Sequence, residues 1–297
     1  DELFLPQSVG ELVDVPHGLV LFTGPTGAGK STTQASLIDS INETRRRHII
    51  TLEDPIEYLH VYKRSIIDQR EIGVDAPSFA AALRCVVRED PDVVSVGELR
   101  DLESIAIGLT VAETGQLVFA TLHTNDAAQA VQRMVDVFPA EQQQQVRVQL
   151  AGCLIAVVHQ ELLPRVDGGR VAAFEVLLAT PAVRNLIRDN KLAQLRNVML
   201  TSASEGMCTL EAAMNWLVRT GFVTAADARE RSLFPQEIAN DSAAYNPPTG
   251  AEELAPTLER LPILETDFPG ADDRLFGPRE FDPRYAGFNT PDATRRG

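Results

Sequence analysis

The sequence predicts an α/β protein with a mostly parallel sheet, and three observations favour this class. Apolar, strand-like runs alternate with helix-like segments from residue 18 to about residue 163. A glycine-rich octapeptide, Gly24–Ser31, lies between an apolar run and a helix-compatible segment. Acidic or polar residues directly follow other predicted strands. Because parallel strands end at the same edge of a sheet, we expect a phosphate-binding site at their carboxyl ends.

The order of elements follows from these alternating patterns. The predicted strands are Leu19–Thr23, His48–Leu52, Ser65–Asp68, Val93–Val96 and Leu117–Thr121. The predicted helices are 31–43, 78–88, 101–113, 125–136, 141–162, 181–189, 209–219 and 224–232. The runs Glu161–Arg165 and Arg170–Leu178 flank Asp167-Gly168-Gly169, a pattern that predicts a β-hairpin.

Composition changes along the chain predict four regions. Residues 1–17 are a lead-in, residues 18–169 the α/β core, and residues 170–238 a smaller, mainly helical subdomain. Residues 239–297 contain eight of the eighteen prolines and are predicted to be an acidic, disordered tail with one short apolar segment, Leu258–Leu264.

The overall composition excludes several classes of protein. No apolar run approaches the roughly 18 residues that a transmembrane helix needs. The net charge of −15 argues against non-specific nucleic-acid binding by the whole chain, although a local basic surface stays open. The three cysteines form no C-x-x-C pair, which favours a reducing compartment and argues against a cysteine-built zinc site. Because the sequence starts without methionine or a signal pattern, we expect a piece of a longer chain.

The octapeptide Gly24–Ser31 matches the phosphate loop G-x-x-x-x-G-K-[ST] in its required strand–loop–helix setting. Its glycines allow backbone N–H groups to converge on phosphate oxygens at a helix N-terminus. Lys30 can reach the β- and γ-phosphates, and the Ser31 hydroxyl can bind Mg²⁺. The candidate nucleotide-binding residues are Gly24, Pro25, Thr26, Gly27, Ala28, Gly29, Lys30, Ser31 and Thr32. We therefore expect ATP as the substrate and Mg²⁺ as the cofactor.

Hydrolysis also needs carboxylates near the phosphates, and two segments offer them. Asp92–Glu98 is a buried-type strand that ends in Glu98, a candidate for holding Mg²⁺ through water. Gly97 lies where many phosphate-loop enzymes have aspartate. Thr51–Glu57 follows another strand, and Pro55 turns the chain so that its carboxylates face the phosphate loop. From the residues alone, Glu53, Asp54 and Glu57 each remain candidates for accepting a proton from water.

The third polar segment is Glu113–Thr124, an apolar strand that ends in Thr-x-His-Thr. Its position makes His123 a candidate sensor of the γ-phosphate. The alternative is that His123 is a structural histidine without such a role.

Together these segments resemble the hexameric secretion ATPases, and within them the PilT-like type IV pilus retraction motors. The resemblance covers about residues 5–235. Its motifs are the Walker A segment Gly24–Thr33, the acidic box Ile49–Glu57, the Walker B segment Asp90–Asp101, the histidine box Glu113–Thr124 and a retraction-type signature, Thr180–Lys191. The resemblance implies a RecA-like phosphate-loop ATPase core. It also implies Glu57 as the catalytic glutamate, Glu98 as the Walker B acid and His123 as the remaining box histidine.

The same resemblance implies the setting in which such a chain works. Relatives form homo-hexamers in the cytoplasm, at the inner-membrane base of the pilus machine. They act on an inner-membrane platform protein, touch the membrane only peripherally through it, and contact no nucleic acid directly. The helix that carries Arg184, Arg188 and Lys191 would be the surface for the retraction-specific step, with a solvated helix face as the alternative.

The sequence departs from the family pattern at three places. Gln116 occupies the position of the first box histidine, and Ser95 is a polar residue inside the Walker B strand. The family's N-terminal PAS-like domain, whose arginines help to complete the site, is expected before Leu5 and is not in this sequence. The four-cysteine metal site typical of extension and type II secretion relatives is also not in the sequence, which favours the retraction branch.

Three alternatives therefore stay open. The chain could be a non-hydrolysing, nucleotide-binding regulator of a pilus motor, which Gln116 and Ser95 motivate. It could be a related type II or type IV secretion ATPase. It could also be a DNA-handling ATPase of the same superfamily, which the acidic composition argues against.

Overall fold

The computed structural model describes residues 3–240 and the backbone of residues 258–261. The strands are β1 (Leu3–Pro6), β2 (Gly18–Thr23), β3 (His48–Glu53), β4 (Ile66–Glu71), β5 (Val93–Val96), β6 (Leu117–Leu122), β7 (Leu154–Pro164), β8 (Arg170–Leu178) and β9 (Leu258–Leu261). The helices are α1 (Gln7–Gly10), α2 (Lys30–Thr44), α3 (Phe79–Val86), α4 (Leu102–Glu113), α5 (Ala127–Asp136), α6 (Ala140–Cys153), α7 (Pro181–Arg188), α8 (Leu195–Thr201), α9 (Leu210–Arg219) and α10 (Ala225–Arg231). Within these residues, no helix has both the length and the apolar character needed to cross a bilayer.

A seven-stranded sheet organises the core, with the order β4-β3-β5-β6-β2-β7-β8. Every neighbouring pair is parallel except β7 and β8, which run antiparallel. Parallel strands, such as the neighbours β2 and β6, cannot be joined by a tight hairpin and need crossover connections. Helices supply these connections across the faces of the sheet. The predicted α/β class with a mostly parallel sheet is confirmed.

Alternate residues of the central strands pack into cores on opposite faces of the sheet. In β2, Leu19 and Leu21 belong to one buried cluster, which also contains residues from α3, α4, α5 and α6. Val20 and Phe22 belong to a second cluster, which contains residues of α2. All six residues of β2 are buried. The strand that leads into the phosphate loop is thus fixed from both sides.

The predicted helix 141–162 is wrong in its second half. Helix α6 ends at Cys153, and the chain continues directly as strand β7. All five residues 154–158 are apolar, as suits β7, which lies between β2 and β8 in the sheet. A continuous apolar run fits a buried strand and a buried helix equally well, so periodicity does not separate them. The predicted hairpin is confirmed, with Pro164 opposite Arg170 across the turn.

The C-terminal helices α9 and α10 pack on this hairpin and form a third buried cluster with it. Strand β8 begins at Arg170 and pairs with β7 along its length, so the boundary at residue 170 falls within the hairpin. The division into core and helical subdomain stays a prediction. The lead-in contains β1 and α1. The predicted tail lies outside the described residues except for its first two residues and β9, whose backbone pairs antiparallel with β1.

Candidate nucleotide site

Four strands deliver the predicted functional residues to one edge of the sheet. The phosphate loop follows β2, the acidic loop follows β3, Glu98 follows β5 and His123 follows β6. The register aligns these strand ends, with Thr23 opposite Leu122 and Val96 opposite Ala120. Parallel strands in this order therefore bring together segments that are separated by up to a hundred residues in the sequence.

The phosphate loop has a backbone that only glycine adopts easily. Gly24, Gly27 and Gly29 have φ values of 139°, 79° and 88°. Gly29 is the N-cap of α2, and its carbonyl accepts the first helical hydrogen bond from the Thr33 amide at 3.0 Å. The loop therefore presents backbone N–H groups at a helix N-terminus, the arrangement that binds phosphate.

Lys30 points back into the loop. Its Nζ donates hydrogen bonds to the carbonyl oxygens of Gly24 at 2.8 Å and Pro25 at 2.9 Å. Burial lowers the pKa of the Lys30 ammonium below its ordinary value. The negative charges of three carboxylates oppose this shift: Glu98, Glu161 and Glu57. The Lys30 ammonium thus lies among loop carbonyls and acidic side chains, where it could contact the phosphates of a bound nucleotide.

Strand β7 forms the floor beneath this loop, and sequence reasoning missed it. The Gln160 side-chain oxygen accepts a hydrogen bond from the Thr33 hydroxyl at 2.9 Å. A β-carbon added at Gly24 would lie 2.3 Å from the backbone oxygen of Gln160. The loop therefore rests directly on β7. Polar residues at the end of an apolar run, His159-Gln160-Glu161, were the available signal in the sequence.

His159, which precedes Gln160 in β7, is fully buried and also contributes to the floor beneath the loop. Its Nδ1 lies 3.1 Å from the hydroxyl of Thr23, the last residue of β2. Burial lowers the pKa of His159 to about 4, so the imidazole is neutral at pH 7. This histidine therefore supports the start of the phosphate loop as a neutral hydrogen-bonding group.

Glu98 lies beside two basic groups. Its carboxylate is 2.6 Å from the Arg100 guanidinium and 3.4 Å from Nε2 of His123. Burial alone would raise the pKa of Glu98, but the bond to Arg100 and the charge of His123 outweigh it, and the pKa is lowered. The structure thus brings two of the predicted residues, Glu98 and His123, into contact. Arg100 was not singled out from the sequence.

Gly97 occupies a tight position, which explains why no side chain lies there. A β-carbon at Gly97 would be 3.1 Å from the Leu52 carbonyl oxygen, which also accepts a 2.7 Å hydrogen bond from the Gly97 amide. The Gly97 carbonyl in turn accepts a hydrogen bond from the Thr121 hydroxyl. Strands β3, β5 and β6 are therefore packed closely where aspartate is common in other phosphate-loop enzymes.

The three acidic candidates after β3 have different surroundings. The Glu53 carboxylate accepts hydrogen bonds from the Thr51 hydroxyl at 2.7 Å and the Gln69 amide at 3.1 Å. Asp54 is exposed. Glu57 is also exposed, but its charge acts on Lys30. Among the three, Glu57 combines a carboxylate without a hydrogen bond in the described part of the chain with proximity to the phosphate loop.

Gln116 and His123 lie at opposite ends of strand β6. Gln116 precedes the strand, where its carbonyl accepts from the Gly18 amide at 3.0 Å and its side chain accepts from the Thr114 hydroxyl at 2.8 Å. A strand of this length separates the two residues by roughly 20 Å. The substitution at Gln116 is therefore remote from the phosphate loop within one chain.

The segment Thr180–Lys191 forms helix α7 and its ends. Arg184 donates hydrogen bonds to the carbonyls of Ala179 at 2.8 Å, Ala151 at 2.5 Å and Gly152 at 2.7 Å. Arg188 and Lys191 are exposed, and within the described residues their side chains hydrogen-bond to Asn185 and Asp189 on the same segment. Arg184 is thus a structural link between α7 and the end of α6, whereas the other two cations face solvent.

The candidate Mg²⁺ ligands at this edge are oxygen atoms. Nowhere in residues 3–240 or 258–261 does a group of three or more His, Cys, Asp or Glu side chains lie ready to hold a metal ion. The half-buried Ser31 hydroxyl and the Glu98 carboxylate remain as donors. Two oxygen donors are enough for Mg²⁺, because this hard cation keeps several waters and also binds the substrate phosphates.

A parallel sheet with a phosphate loop and acidic strand ends defines the class of phosphate-loop nucleotide-binding proteins. The sequence model of the family described as type II/IV secretion system protein matches residues 5–169. The chain belongs to this family.

Three relatives place the chain within that family. It is 49% identical over 238 residues to the type IV pilus retraction ATPase PilT of Pseudomonas aeruginosa, covering 80% of this chain and 69% of PilT. It is 52% identical over 233 residues to a twitching motility protein of Neisseria gonorrhoeae, covering 78% of this chain and 62% of that protein. A crystal structure of the pilus retraction motor PilT with bound ADP has 51% identity and a TM-score of 0.75, covering 79% of this chain and 67% of that one. The chain thus spans about two thirds of the length of these relatives.

Proposed function

We propose that this chain is the ATP-hydrolysing part of a motor subunit that powers retraction of type IV pili. The observation that carries the proposal is that the phosphate loop with Lys30, the acidic loop with Glu57, and the Glu98–His123 pair all follow parallel strands that end at one sheet edge. The similarity to PilT, which is described as a pilus retraction ATPase, supplies the biological setting.

In this proposal the loop Gly24–Thr32 binds the triphosphate through backbone N–H groups, and Lys30 exchanges its loop carbonyls for phosphate oxygens. The Ser31 hydroxyl would bind Mg²⁺ directly, and Glu98 would bind it through water. When bound, Mg²⁺ neutralises charge on the phosphate oxygens as the terminal bond breaks. The lowered pKa of Glu98 supports this role because it keeps the carboxylate ionised at neutral pH.

Glu57 is proposed as the residue that accepts a proton from the attacking water. Glu53 is less suited because two hydrogen bonds already occupy its Oε1 atom. His123 is proposed as the sensor of the γ-phosphate, and its contact with Glu98 would transmit loss of that phosphate to the metal-binding carboxylate.

The whole motor is proposed to be a homo-hexamer in the cytoplasm at the inner-membrane base of the pilus. Its partner would be an inner-membrane platform protein, with membrane contact only through that partner and with no direct nucleic-acid contact. The net charge of −15 supports the last point, because a polyanion would be repelled. In such a motor, ATP would bind at a junction between two rigid bodies and contact both of them only when they close. Binding and hydrolysis would therefore change the angle between the two bodies.

The regulatory alternative, a nucleotide-binding subunit without turnover, was motivated by Gln116 and Ser95. Gln116 lies at the far end of β6 from the phosphate loop, so it gives no reason for the site within one chain to be inactive. A type II or type IV secretion ATPase would contain the same chemistry. The higher-coverage similarity to retraction proteins supports the retraction role over these alternatives.

The proposal is tested by the steady-state ATPase rate against protein concentration, with Lys30→Ala as the blank. We expect Mg²⁺-dependent hydrolysis that Lys30→Ala abolishes. We expect Glu57→Gln to lower kcat by at least about a hundredfold, the usual contribution of a general base, while Asp54→Asn in the same loop retains activity. Unchanged kcat in Glu57→Gln would refute the assignment of the base.

The concentration dependence separates two further cases. A rate per subunit that rises with concentration means that neighbouring subunits complete each other's sites. Firm ATP binding with a rate equal to the blank calls for the same assay on a longer chain that includes the family's N-terminal PAS-like domain. Firm binding without turnover in that longer chain would support the regulatory alternative.

A further inference from the structure

The acidic loop, residues 54–60, is anchored to the core at two places although it has no regular secondary structure. From strand β4, the Gln69 amide donates to the Tyr58 carbonyl at 2.7 Å and accepts from the His60 amide at 2.8 Å. Glu71 of the same strand accepts from the Ile56 amide at 3.2 Å. These bonds fix the loop backbone to the edge of the sheet.

The second anchor reaches the phosphate-loop helix. The Tyr58 hydroxyl lies 2.7 Å from the Thr32 hydroxyl, in the first turn of α2. Among the described residues, this is the one hydrogen bond between the acidic loop and α2. The tyrosine is half-buried, and its hydroxyl reaches the helix.

The position of this bond in the sequence gives it a mechanistic meaning. Tyr58 is adjacent to Glu57, and Thr32 is adjacent to Ser31, the proposed Mg²⁺ ligand. A bond between these neighbours ties the segment that carries the proposed base to the segment that would hold the metal and phosphates. Catalysis is sensitive to such placement, because a displacement of about 1 Å can cost a hundredfold in rate.

We propose that Tyr58 is a positioning residue for ATP hydrolysis, whose hydroxyl bond to Thr32 holds Glu57 over the phosphate loop. The inference rests on the proposed function, since it assumes Glu57 as the base. Gln69 attaches the loop backbone to the sheet. The Tyr58 hydroxyl attaches the loop to the phosphate-loop helix, which is the side where the nucleotide would bind.

Tyr58→Phe tests this directly because it removes the hydroxyl and keeps the ring. The chain offers a matched control in Tyr62→Phe. Tyr62 lies four residues further on, is 65% exposed, and its hydroxyl makes no hydrogen bond within the described residues. Thr32→Val removes the other partner, and the double variant closes a thermodynamic cycle.

We expect Tyr58→Phe to lower kcat about three- to tenfold, the effect of one neutral hydrogen bond, with the Kd for ATP changed less than about twofold. Tyr62→Phe should match the wild type. The double variant should be no slower than the slower single variant, because both remove the same bond. Wild-type kcat in Tyr58→Phe, a loss confined to KM, or fully multiplicative losses in the double variant would each overturn the proposal.

A second measurement keeps this result distinct from failure of the proposed function. Amide hydrogen exchange of residues 54–60 in the nucleotide-free protein should be faster in Tyr58→Phe than in the wild type or Tyr62→Phe. Wild-type activity equal to that of Lys30→Ala would refute hydrolysis by this chain, and exchange would then still decide whether Tyr58 holds the loop. Unchanged exchange overturns the positioning role in either case.

Discussion

The side-chain amide of Gln160 lies directly against Gly29 of the phosphate loop. A β-carbon added at Gly29 would be 2.8 Å from Nε2 of Gln160, which is closer than side-chain carbons approach other atoms. Gln160 is 2% exposed and is held by the Thr33 hydroxyl, so it has little freedom to move away. The glycine at the start of α2 is therefore required by the floor of the loop as well as by its φ of 88°.

We predict that Gly29→Ala weakens ATP binding at least about tenfold more than Gly27→Ala, which corresponds to about 1.4 kcal/mol. Both glycines have left-handed backbone, with φ values of 88° and 79°, so both variants introduce backbone strain. Only Gly29 adds a clash, since a β-carbon at Gly27 would meet nothing within 4 Å. Titration calorimetry with ATP measures the difference, and equal affinities in the two variants would contradict it.

The contact between Gly29 and Gln160 also illustrates what the sequence could and could not predict. The phosphate loop was predictable because its eight residues are contiguous and its geometry needs glycine at fixed positions. Gln160 lies more than a hundred residues later, on a segment predicted as helix. Its role depends on β7 pairing with β2, a long-range contact that no local pattern encodes.

The same distinction applies to the acidic residues. The positions of Glu98 and Glu57 were predictable because each follows a strand that ends at the phosphate edge. Arg100 and Tyr58 were not predicted because what places them at the site is a single side-chain contact each, to Glu98 and to Thr32. Such contacts depend on rotamers and loop paths, which strand and helix periodicity does not determine.

We predict that Arg100→Ala moves the acidic limb of the pH–rate profile toward neutral pH. The Arg100 bond and the His123 charge lower the pKa of Glu98 against the effect of burial, so loss of Arg100 raises that pKa. The ionised carboxylate is then lost at a higher pH as the solution is acidified. kcat/KM should therefore fall more at pH 6 than at pH 8.

The control for this effect is Arg84→Ala, which removes an exposed arginine paired with Glu103 on helices α3 and α4. It changes the net charge equally but lies outside the site, so its profile should match the wild type. Measurement of kcat/KM from pH 5.5 to 8.5 decides the point. Parallel profiles for the two variants would show that Arg100 does not tune Glu98.

We predict that Glu175→Gln removes a pH dependence of stability. Glu175 is buried in β8 and accepts a 2.7 Å hydrogen bond from the Ala127 amide at the start of α5. Burial raises the pKa of Glu175 to about 7, above its unfolded value. The folded state therefore holds this proton more tightly, and its contribution to stability is lost as pH rises from about 4.5 to about 7.

Glutamine keeps the hydrogen-bond acceptor and removes the titration. As pH rises from 5 to 8, the free energy of unfolding of the variant should therefore increase relative to that of the wild type, by at most about 3 kcal/mol. Urea unfolding at the two pH values measures this gain. A constant difference between wild type and variant would mean that Glu175 does not titrate in this range.

The last prediction concerns the arginines of helix α7, which the sequence grouped as one surface. Arg184 donates to three backbone carbonyls, two of them at the C-terminal end of α6, which otherwise lack intrahelical partners. Ala151 is buried, Ala179 is half-buried and Gly152 is exposed. Arg184→Ala should therefore lower the free energy of unfolding by about 1–3 kcal/mol, mainly the cost of leaving the Ala151 and Ala179 carbonyls without a charged donor.

Arg188 is the matched control because it lies one turn further along the same helix. It is exposed and bonds to Asn185 within that helix. Arg188→Ala should change stability by less than about 0.5 kcal/mol, as surface substitutions usually do. If the retraction step uses this surface, Arg188→Ala and Lys191→Ala should impair pilus retraction in cells while leaving the unfolding curve unchanged. An unfolding curve shifted equally by Arg184→Ala and Arg188→Ala would contradict the distinct structural role of Arg184.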